Sequence, residues 1–213
     1  MARGKFITLE GGEGAGKTTQ SRLLVETLNE RGIDAINTRE PGGSTGAEEI
    51  RALLVQGERH RWDALTELLL HFAARRDHVI NTIFPALARN EWVICDRFMD
   101  STLAYQIYGQ NMDEEIAKYL YSTFVGDLTP DLTLILDVAP DMGIKRALDR
   151  DIIEARYEQF GIEFHKNIRE NFLRIAKSNP NRYKVIDAGN SIIDTHQKIL
   201  TIISEKFLDG NKN

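Results

Sequence analysis

Five short apolar runs alternate along the chain with longer segments in which apolar residues recur at three- and four-residue spacing. The runs predict strands at residues 5–10, 34–38, 92–96, 132–137 and 184–187. Alternation of this kind is typical of a parallel sheet covered by helices on both faces. The pattern therefore predicts an α/β fold of three layers with a five-stranded parallel sheet, built as a single domain over residues 1–213.

The clearest helical pattern runs from about residue 62 to residue 88. Its apolar positions predict one stripe, which is either core or a subunit interface. Pro85 lies inside this pattern and predicts a kink or break late in the helix. The positions of the stripe are Leu65, Leu68, Leu69, Phe72, Ala73, Ile80, Ile83, Phe84 and Leu87.

His71, Arg75 and His78 lie off this stripe at positions i, i+4 and i+7, and so share a polar face of the same helix. Solvent exposure explains most charged faces of helices. Taken alone, this face is therefore expected to be solvated.

Residues 11–18, GGEGAGKT, form a complete G-x-x-x-x-G-K-[ST] motif between the first predicted strand and a helical run from Thr19 to Arg31. In such a P-loop, backbone N–H groups and the N-terminus of the next helix hold the phosphates of a nucleotide. Lys17 would reach the β- and γ-phosphates, and the Thr18 hydroxyl would hold Mg²⁺. The motif predicts nucleotide binding through Gly11, Gly12, Glu13, Gly14, Ala15, Gly16, Lys17, Thr18 and Thr19.

Composition limits the partners of this site. The formal net charge is −5 over 213 residues, so broad binding to nucleic acid or to an anionic membrane is not expected. Cys95 is the only cysteine and lies in an apolar run, which suits a reducing cytoplasm and a buried strand. No apolar run has the length of a signal peptide or a transmembrane helix, so the sequence predicts a soluble, cytoplasmic protein.

A P-loop alone does not separate an ATPase, a GTPase switch and a kinase. The N-K-x-D and D-x-x-G motifs of guanine-specific switches do not occur at suitable places. Instead, Arg39 and Arg97 follow the second and third predicted strands, at the sheet edge where α/β folds bind ligands. Because an arginine fork suits a phosphate, this pair predicts a second phosphate group and hence a phosphorylated acceptor.

Several strings beyond the P-loop resemble those of bacterial thymidylate kinases, in the P-loop nucleoside monophosphate kinase group. They are TREPGG at 38–43, AAR at 73–75, DR at 96–97, DSTLAYQ at 100–106 and PDLTLILD at 130–137. The resemblance covers nearly the whole chain. It implies a three-layer P-loop fold with a short lid at about 146–158, transfer of the γ-phosphoryl group of ATP to dTMP, and a homodimer.

The resemblance also implies roles for the acceptor side. Arg39 and Arg97 resemble the clamp on the dTMP phosphate, and Arg75 and Gln106 resemble contacts to the thymine. Tyr105 would exclude a ribose 2′-hydroxyl, and Glu13 would lie near the sugar 3′-hydroxyl. Ser101 and Thr102 belong to the same acceptor motif.

The sequence departs from the family pattern at two places. The aromatic residue that stacks on the base, four positions before Arg75, is replaced by His71, and Phe72 is next to it, so either ring could cover the thymine. The turn after AYQ has Gly109-Gln110-Asn111 where the family often has an arginine.

Metal and lid residues complete the predicted site. Asp96 would orient Mg²⁺ or its waters together with Thr18. The P-loop has no arginine at its variable positions, and similarity to enzymes that also lack one implies that the catalytic charge lies on the lid, at Arg156 first and Arg150 second. Arg146 resembles the arginine that stacks on adenine. A kinase for another nucleotide or nucleoside, and a nucleotide-dependent switch, are the alternatives.

Overall fold

The computed structural model describes residues 4–57, 61–148 and 160–209. Within them five parallel strands form one sheet in the order β2-β3-β1-β4-β5. The strands are β1 (Phe6–Glu10), β2 (Ala35–Arg39), β3 (Trp92–Asp96), β4 (Leu132–Asp137) and β5 (Tyr183–Asp187). Each lies within one residue of its predicted bounds, so the α/β prediction is confirmed.

Helices cover both faces of this sheet. They are α1 (Lys17–Glu30), α2 (Thr45–Val55), α3 (Ala64–His78), α4 (Phe84–Ala88), α5 (Met99–Thr102), α6 (Glu114–Phe124), α7 (Pro140–Leu148), α8 (Ile162–Ser178) and α9 (Ile192–Ile203). Three stretches are π-helical: Val79–Ile83, Leu103–Tyr108 and Ser204–Leu208. Helix α1 begins at Lys17, two residues before the predicted helical run, and ends at Glu30. Its C-cap is Arg31, which is followed by Gly32 with φ of +75°.

The central strands are buried on both faces. Ile7, Leu9 and Ile94 face α1 and α9, whereas Phe6 and Val93 face α3 and the segment after β3. Strands that are buried on both faces have continuous apolar sequences. Their positions could therefore be predicted from the sequence. The carboxyl ends of β1, β2, β3 and β4 lie at one edge of the sheet, and they are Glu10, Arg39, Asp96 and Asp137.

The predicted long helix is helical from residue 64 to residue 88, but its irregularity precedes Pro85. Val79–Ile83 is π-helical, and the Phe84 N–H bonds to the Val79 carbonyl. Because proline has no N–H and crowds the carbonyl four residues earlier, a wider turn at this point accommodates it. The helix therefore changes its hydrogen-bond pattern before the proline.

The predicted apolar stripe divides into two faces. Leu68, Phe72 and Ile83 are buried in the core. Leu65, Leu69, Ile80 and Phe84 are 40–47% exposed. The core reading therefore applies to the first set, and for the exposed set the subunit interface stays a prediction.

Candidate active site

The P-loop forms a turn between β1 and α1 that is backed by the main chain of α7. A Cβ atom on Gly14, whose φ is +65°, would lie 1.9 Å from the Gly143 carbonyl oxygen. Only glycine fits this close approach between two backbones. The loop is thus held in place by helix α7 as well as by its own strand and helix.

Lys17 is buried in this loop. Its Nζ donates to the carbonyl oxygens of Gly11, at 3.1 Å, and Gly12, at 2.7 Å. Burial and the neighbouring charge of Arg97 lower the pKa of Lys17 to about 8. The ammonium group therefore stays mostly charged at neutral pH and is strongly attracted to an incoming anion.

Thr18 and Asp96 meet beside the P-loop, as predicted. The Thr18 hydroxyl donates to Asp96 Oδ2 at 2.5 Å. Asp96 Oδ1 is buried without a hydrogen-bond partner among the described residues. An orphaned carboxylate oxygen next to a hydroxyl suits a hard cation that takes oxygen ligands. The described residues contain no cluster of three or more His, Cys, Asp or Glu side chains, so phosphates and water would complete such a metal site.

A cavity of about 310 Å³ opens from the P-loop towards α3. The loops after β2 and β3 form its other walls. Most of the predicted acceptor and P-loop side chains face this one space, which has the size of a small-molecule site. The predicted residues that line it are Glu13, Gly14, Gly16, Lys17, Thr18, Arg39, His71, Arg75, Asp96, Arg97, Ser101, Thr102, Tyr105 and Gln106.

Arg97 is the centre of a charged cluster between the P-loop and the segment after β3. Its backbone is left-handed, with φ of 68°, which is a strained conformation for a residue with a side chain. Its guanidinium donates to Glu13 Oε1 at 2.8 Å, Ser101 Oγ at 3.1 Å and the Gly11 carbonyl at 3.1 Å. The Tyr105 hydroxyl donates to the same Glu13 oxygen at 3.0 Å.

The electrostatics of Glu13 follow from this cluster. Burial alone would raise the pKa of Glu13, but the charges of Arg97 and Lys17 hold it at about 2. Glu13 therefore remains a carboxylate at neutral pH. Its two neighbours, Arg97 and Tyr105, line the same cavity.

Two further arginines border the cavity. Arg39 is exposed and pairs with Glu48 on α2 at 2.9 Å. Arg51, also on α2, donates to the Pro41 carbonyl at 2.5 Å. Sequence reasoning missed Arg51, because nothing in the spacing of α2 brings that helix to the sheet edge. The cavity therefore carries more positive charge than predicted.

Arg75 and His78 are buried, which corrects the expectation of a solvated polar face. Arg75 Nε donates to Glu40 Oε2 at 2.7 Å, and His78 Nδ1 lies 3.0 Å from Glu40 Oε1. Glu40 was also missed as a site residue, although it belongs to the TREPGG string. A buried carboxylate between two basic side chains is the reason that this helix face turns inwards.

His71 and Phe72 lie in different places. His71 lines the cavity. Phe72 packs in the core beneath Arg75, whose guanidinium carbon is 5.2 Å from the ring centre. The prediction of Phe72 as an acceptor-binding residue is therefore corrected, because one step along a helix rotates a side chain by about 100°.

Gln106, Thr102 and Ser101 are held by polar partners behind the cavity. Gln106 Nε2 donates to the buried carboxylate of Glu67 on α3 at 2.9 Å. Thr102 Oγ1 accepts from Arg75 at 2.9 Å, and Ser101 Oγ donates to Glu10 Oε2 at 2.5 Å. The segment after β3 is thus fixed to α3 and β1 at once.

Glu10 and Asp100 are two buried carboxylates beneath the site, and neither was predicted to matter. Burial and the charge of Asp100 raise the pKa of Glu10 to about 7. Asp100 accepts from Arg182 at 2.6 Å and from the Tyr183 hydroxyl at 2.7 Å. Glu10 also accepts from the Phe98 N–H at 2.8 Å, so it supports the loop that carries Arg97.

Arg146 of α7 is hydrogen-bonded to the loop after β5. Its guanidinium donates to the carbonyls of Ala188 at 2.9 Å and Gly189 at 3.1 Å. Thr19 lies in the first turn of α1. The predicted lid arginines, Arg150 and Arg156, lie outside the described residues.

No described helix combines the length and the apolarity needed to cross a bilayer.

Comparison with known proteins adds independent information. A family model described as thymidylate kinase matches residues 9–199. The thymidylate kinase of Caulobacter vibrioides is 50% identical over 97% of this chain and 99% of its own length. That of Ruegeria pomeroyi is 48% identical over 90% of each chain. The crystal structure of thymidylate kinase from Ehrlichia chaffeensis superposes with a TM-score of 0.78 at 38% identity, covering 95% of this chain and 100% of that one.

Proposed function

The chain belongs to the thymidylate kinase family, and on that premise we propose that it transfers the γ-phosphoryl group of ATP to dTMP. The products are ADP and dTDP, which feeds dTTP synthesis. The observation that carries the proposal is the single cavity that joins the P-loop to Arg39, Arg51 and Arg97. A phosphate cradle on one side and arginine forks on the other suit two nucleotides that meet at their phosphates.

The P-loop and Lys17 would bind the phosphates of ATP and stabilise their negative charge. The backbone N–H groups of the P-loop would hold the β- and γ-phosphates of ATP, as they do in this class of loop. Lys17 would exchange its bonds to the Gly11 and Gly12 carbonyls for phosphate oxygens. Its charge would then lie where negative charge develops during transfer.

The acceptor phosphate would be held by Arg97 and Arg39. Arg97 is oriented by Glu13, Ser101 and the Gly11 carbonyl, so its position is set before the acceptor arrives. An arginine fixed in this way loses little side-chain entropy on binding. Because Arg97 also bonds to the Gly11 carbonyl, a phosphate held by Arg97 would lie next to the donor loop.

The rest of the acceptor would extend towards α3. The Tyr105 ring beside Glu13 would lie against the sugar and disfavour a ribose 2′-hydroxyl. His71 would cover the base, with Arg75 and Gln106 at its polar edge. These roles follow the family resemblance and agree with the places of the side chains in the cavity.

Thr18 and Asp96 would hold Mg²⁺ with the ATP phosphates. The cation supplies charge neutralisation of the transferring group. Asp96 Oδ1, buried without a partner among the described residues, supports this part of the proposal.

The lid at about 146–158 would supply further positive charge to the transferring phosphoryl group. We keep Arg156 as the first candidate and Arg150 as the second, because the P-loop has no arginine of its own. Arg146 would hold the adenine against the loop after β5.

The proposal includes a single kinase domain that forms a homodimer in the cytoplasm. The exposed apolar side chains of Leu65, Leu69, Ile80 and Phe84 support an isologous interface. A lone, buried Cys95 agrees with a reducing compartment.

An acceptor profile tests the function. ADP release from ATP and Mg²⁺ is measured by a coupled assay with dTMP, dUMP, dCMP or thymidine as acceptor. We expect dTMP to give the highest kcat/KM, and thymidine to give little turnover because it offers no phosphate to Arg39 and Arg97. Equal turnover with thymidine would indicate a nucleoside kinase, and acceptor-independent ADP release would indicate an ATPase.

A further inference from the structure

A closed network of polar side chains lies directly behind the acceptor end of the cavity. His78 is 0% exposed, Arg75 is 2% exposed and Glu40 is 5% exposed. Arg75 and Glu40 line the cavity, whereas His78 does not. His78 is therefore a buried, ionisable side chain with no direct access to a ligand.

The hydrogen bonds of His78 have a defined direction. Its Nδ1 is 3.0 Å from Glu40 Oε1, and because a carboxylate only accepts, Nδ1 carries the proton. Its Nε2 is 2.6 Å from Thr38 Oγ1 and, in the neutral ring, accepts from that hydroxyl. The imidazole thus joins Thr38 to Glu40 with both ring nitrogens satisfied.

The Glu40 carboxylate that His78 holds is also hydrogen-bonded to Arg75. Its second oxygen, Oε2, accepts from Arg75 Nε at 2.7 Å. Arg75 also donates from one terminal nitrogen to Thr102 Oγ1, at 2.9 Å, and from the other to Met99 Sδ, at 3.4 Å. Each terminal nitrogen has two hydrogens, so these bonds use one N–H of each, and Arg75 itself lines the cavity.

The loop after β2 packs closely against Thr38 and His78. A Cβ atom on Gly43, whose φ is +86°, would lie 2.4 Å from Thr38 Oγ1 and 2.5 Å from His78 Nε2. Thr82 donates to the Gly43 carbonyl at 2.7 Å and fixes the loop on the other side. His78 therefore has little freedom to adopt another rotamer, and neither does the carboxylate that it holds.

We propose that His78 is a positioning residue for acceptor recognition: it fixes the Glu40 carboxylate, which fixes the guanidinium of Arg75, a residue that lines the cavity. The ligand group that this arrangement fits is a carbonyl acceptor on the base of the acceptor nucleotide. The inference rests on the proposed function. It assigns a role in acceptor binding to a side chain that cannot touch the acceptor.

Two substitutions of His78 separate its two hydrogen bonds. In His78→Asn the amide nitrogen can occupy the place of Nδ1 and keep the bond to Glu40. In His78→Gln the amide reaches the place of Nε2 and keeps the bond to Thr38 instead. Both residues are polar and similar in size, so they differ mainly in which partner they retain.

We expect His78→Gln to raise the KM for dTMP by about tenfold while kcat and the KM for ATP stay within about twofold, since a shift of Arg75 affects acceptor binding first. The preference for dTMP over dCMP, measured as the ratio of kcat/KM, should fall by a similar factor. His78→Asn should remain within about twofold of the unmodified protein in each quantity. Melting temperatures are recorded for every variant.

His196 provides the matched control. It bridges Gln20 and Thr27 through its two ring nitrogens, at 3.2 and 3.1 Å, on the opposite face of the sheet. His196→Gln should leave the KM for dTMP unchanged even where the melting temperature falls. Glu40→Asp, which withdraws the carboxylate by one methylene group, should raise the KM for dTMP as His78→Gln does, and replaces that variant if it is unstable.

An unchanged KM for dTMP in His78→Gln or in its replacement would overturn the proposal. Equal increases in the Asn and Gln variants would also overturn it, because the bond to Glu40 would then not carry the effect. Failure of the unmodified protein to phosphorylate dTMP would instead reject the proposed function. The unmodified protein therefore reports on the function, and the two variants report on His78.

Discussion

At Lys17 the protein keeps a buried cation whose hydrogen bonds go to backbone carbonyls. The Gly11 and Gly12 oxygens that hold it are weaker partners than a phosphate would be. Burial lowers the pKa of Lys17 to about 8, which reflects the cost of keeping this charge away from water. A phosphate would relieve that cost, so the residue favours nucleotide binding.

Lys17→Ala should therefore lower kcat by about 10²- to 10³-fold or more, because one preorganised donor to the developing charge is lost. Steady-state kinetics with ATP and dTMP check this. Lys118→Ala on α6, where the ammonium group forms exposed pairs with Glu114 and Glu115, serves as the control and should keep the full rate. Full activity in Lys17→Ala would contradict the assigned role.

Glu10 makes stability depend on pH. Its pKa rises from an ordinary value of 4.5 to about 7 on folding, because of burial and the charge of Asp100. Between these values the folded protein binds more protons than the unfolded chain, so stability falls as the pH rises through that range. The loss is complete above the folded pKa.

Glu10→Gln should remove this dependence. Relative to the variant, the unmodified protein should lose stability from pH 5 to pH 8, on the order of 2 kcal/mol. Denaturant unfolding at each pH measures the difference. Glu115→Gln, an exposed glutamate on α6, is the control. A constant difference between the unmodified protein and Glu10→Gln across this range would be evidence against a proton held by Glu10.

At the level of elements, the five strands could be predicted because each is a short apolar run between polar turns. The proximity of Thr18 and Asp96 could also be predicted. A P-loop and the end of a neighbouring strand must meet at one edge of a parallel sheet. Their contact of 2.5 Å follows from the strand order, in which β1 and β3 are neighbours.

The polar face of α3 could not be predicted in this way. His71, Arg75 and His78 have the spacing of an ordinary solvated face. The burial of Arg75 and His78 depends on Glu40, which is 35 residues from Arg75 along the chain. The apolar stripe was ambiguous for a related reason. Periodicity locates a helix face but does not say whether the core or another subunit covers it.

The contact between the P-loop and α7 gives a prediction for these two elements. A Cβ atom on Gly143 would lie 2.4 Å from the Glu13 carbonyl oxygen, so Gly143→Ala should displace the loop or the helix. We expect a loss of about 1–3 kcal/mol in stability, as for other overpacked sites, together with a raised KM for ATP. Thermal unfolding and kinetics measure both effects.

Gly161→Ala is the matched control. It lies at the start of α8 with φ of −65°, and apart from its chain neighbours no atom of the described residues is within 4 Å of the added Cβ. The control should leave both stability and kinetics near those of the unmodified protein. If Gly143→Ala also left stability and kinetics unchanged, that result would contradict the close contact between the P-loop and α7.

For the whole molecule, the exposed apolar face of the helix over residues 64–88 is the main feature beyond the active site. It includes Leu69 and Phe84, and Arg76 on the same helix donates to the Phe124 carbonyl of α6 at 3.1 Å. Phe124 is itself exposed, so the apolar surface extends to a second helix. Surfaces of this kind usually mark an interface.

The double substitution Leu69→Glu with Phe84→Glu should convert a dimer into a monomer, because it would place charges in a desolvated interface. Sedimentation equilibrium should give twice the chain mass of 24.2 kDa for the unmodified protein and the single mass for the variant. Ile193→Glu, at an exposed position on α9, should remain dimeric. A monomeric unmodified protein would refute the proposed assembly.

The most direct test of the central claim follows the phosphoryl group itself. The protein is incubated with ATP labelled in the γ-phosphate, Mg²⁺ and dTMP, and the products are separated. Transfer between two nucleotides held in one cavity predicts that the label appears in dTDP, in amounts equal to the ADP formed. Label found only in inorganic phosphate, or retained in ATP while the folded protein binds both nucleotides, would contradict it.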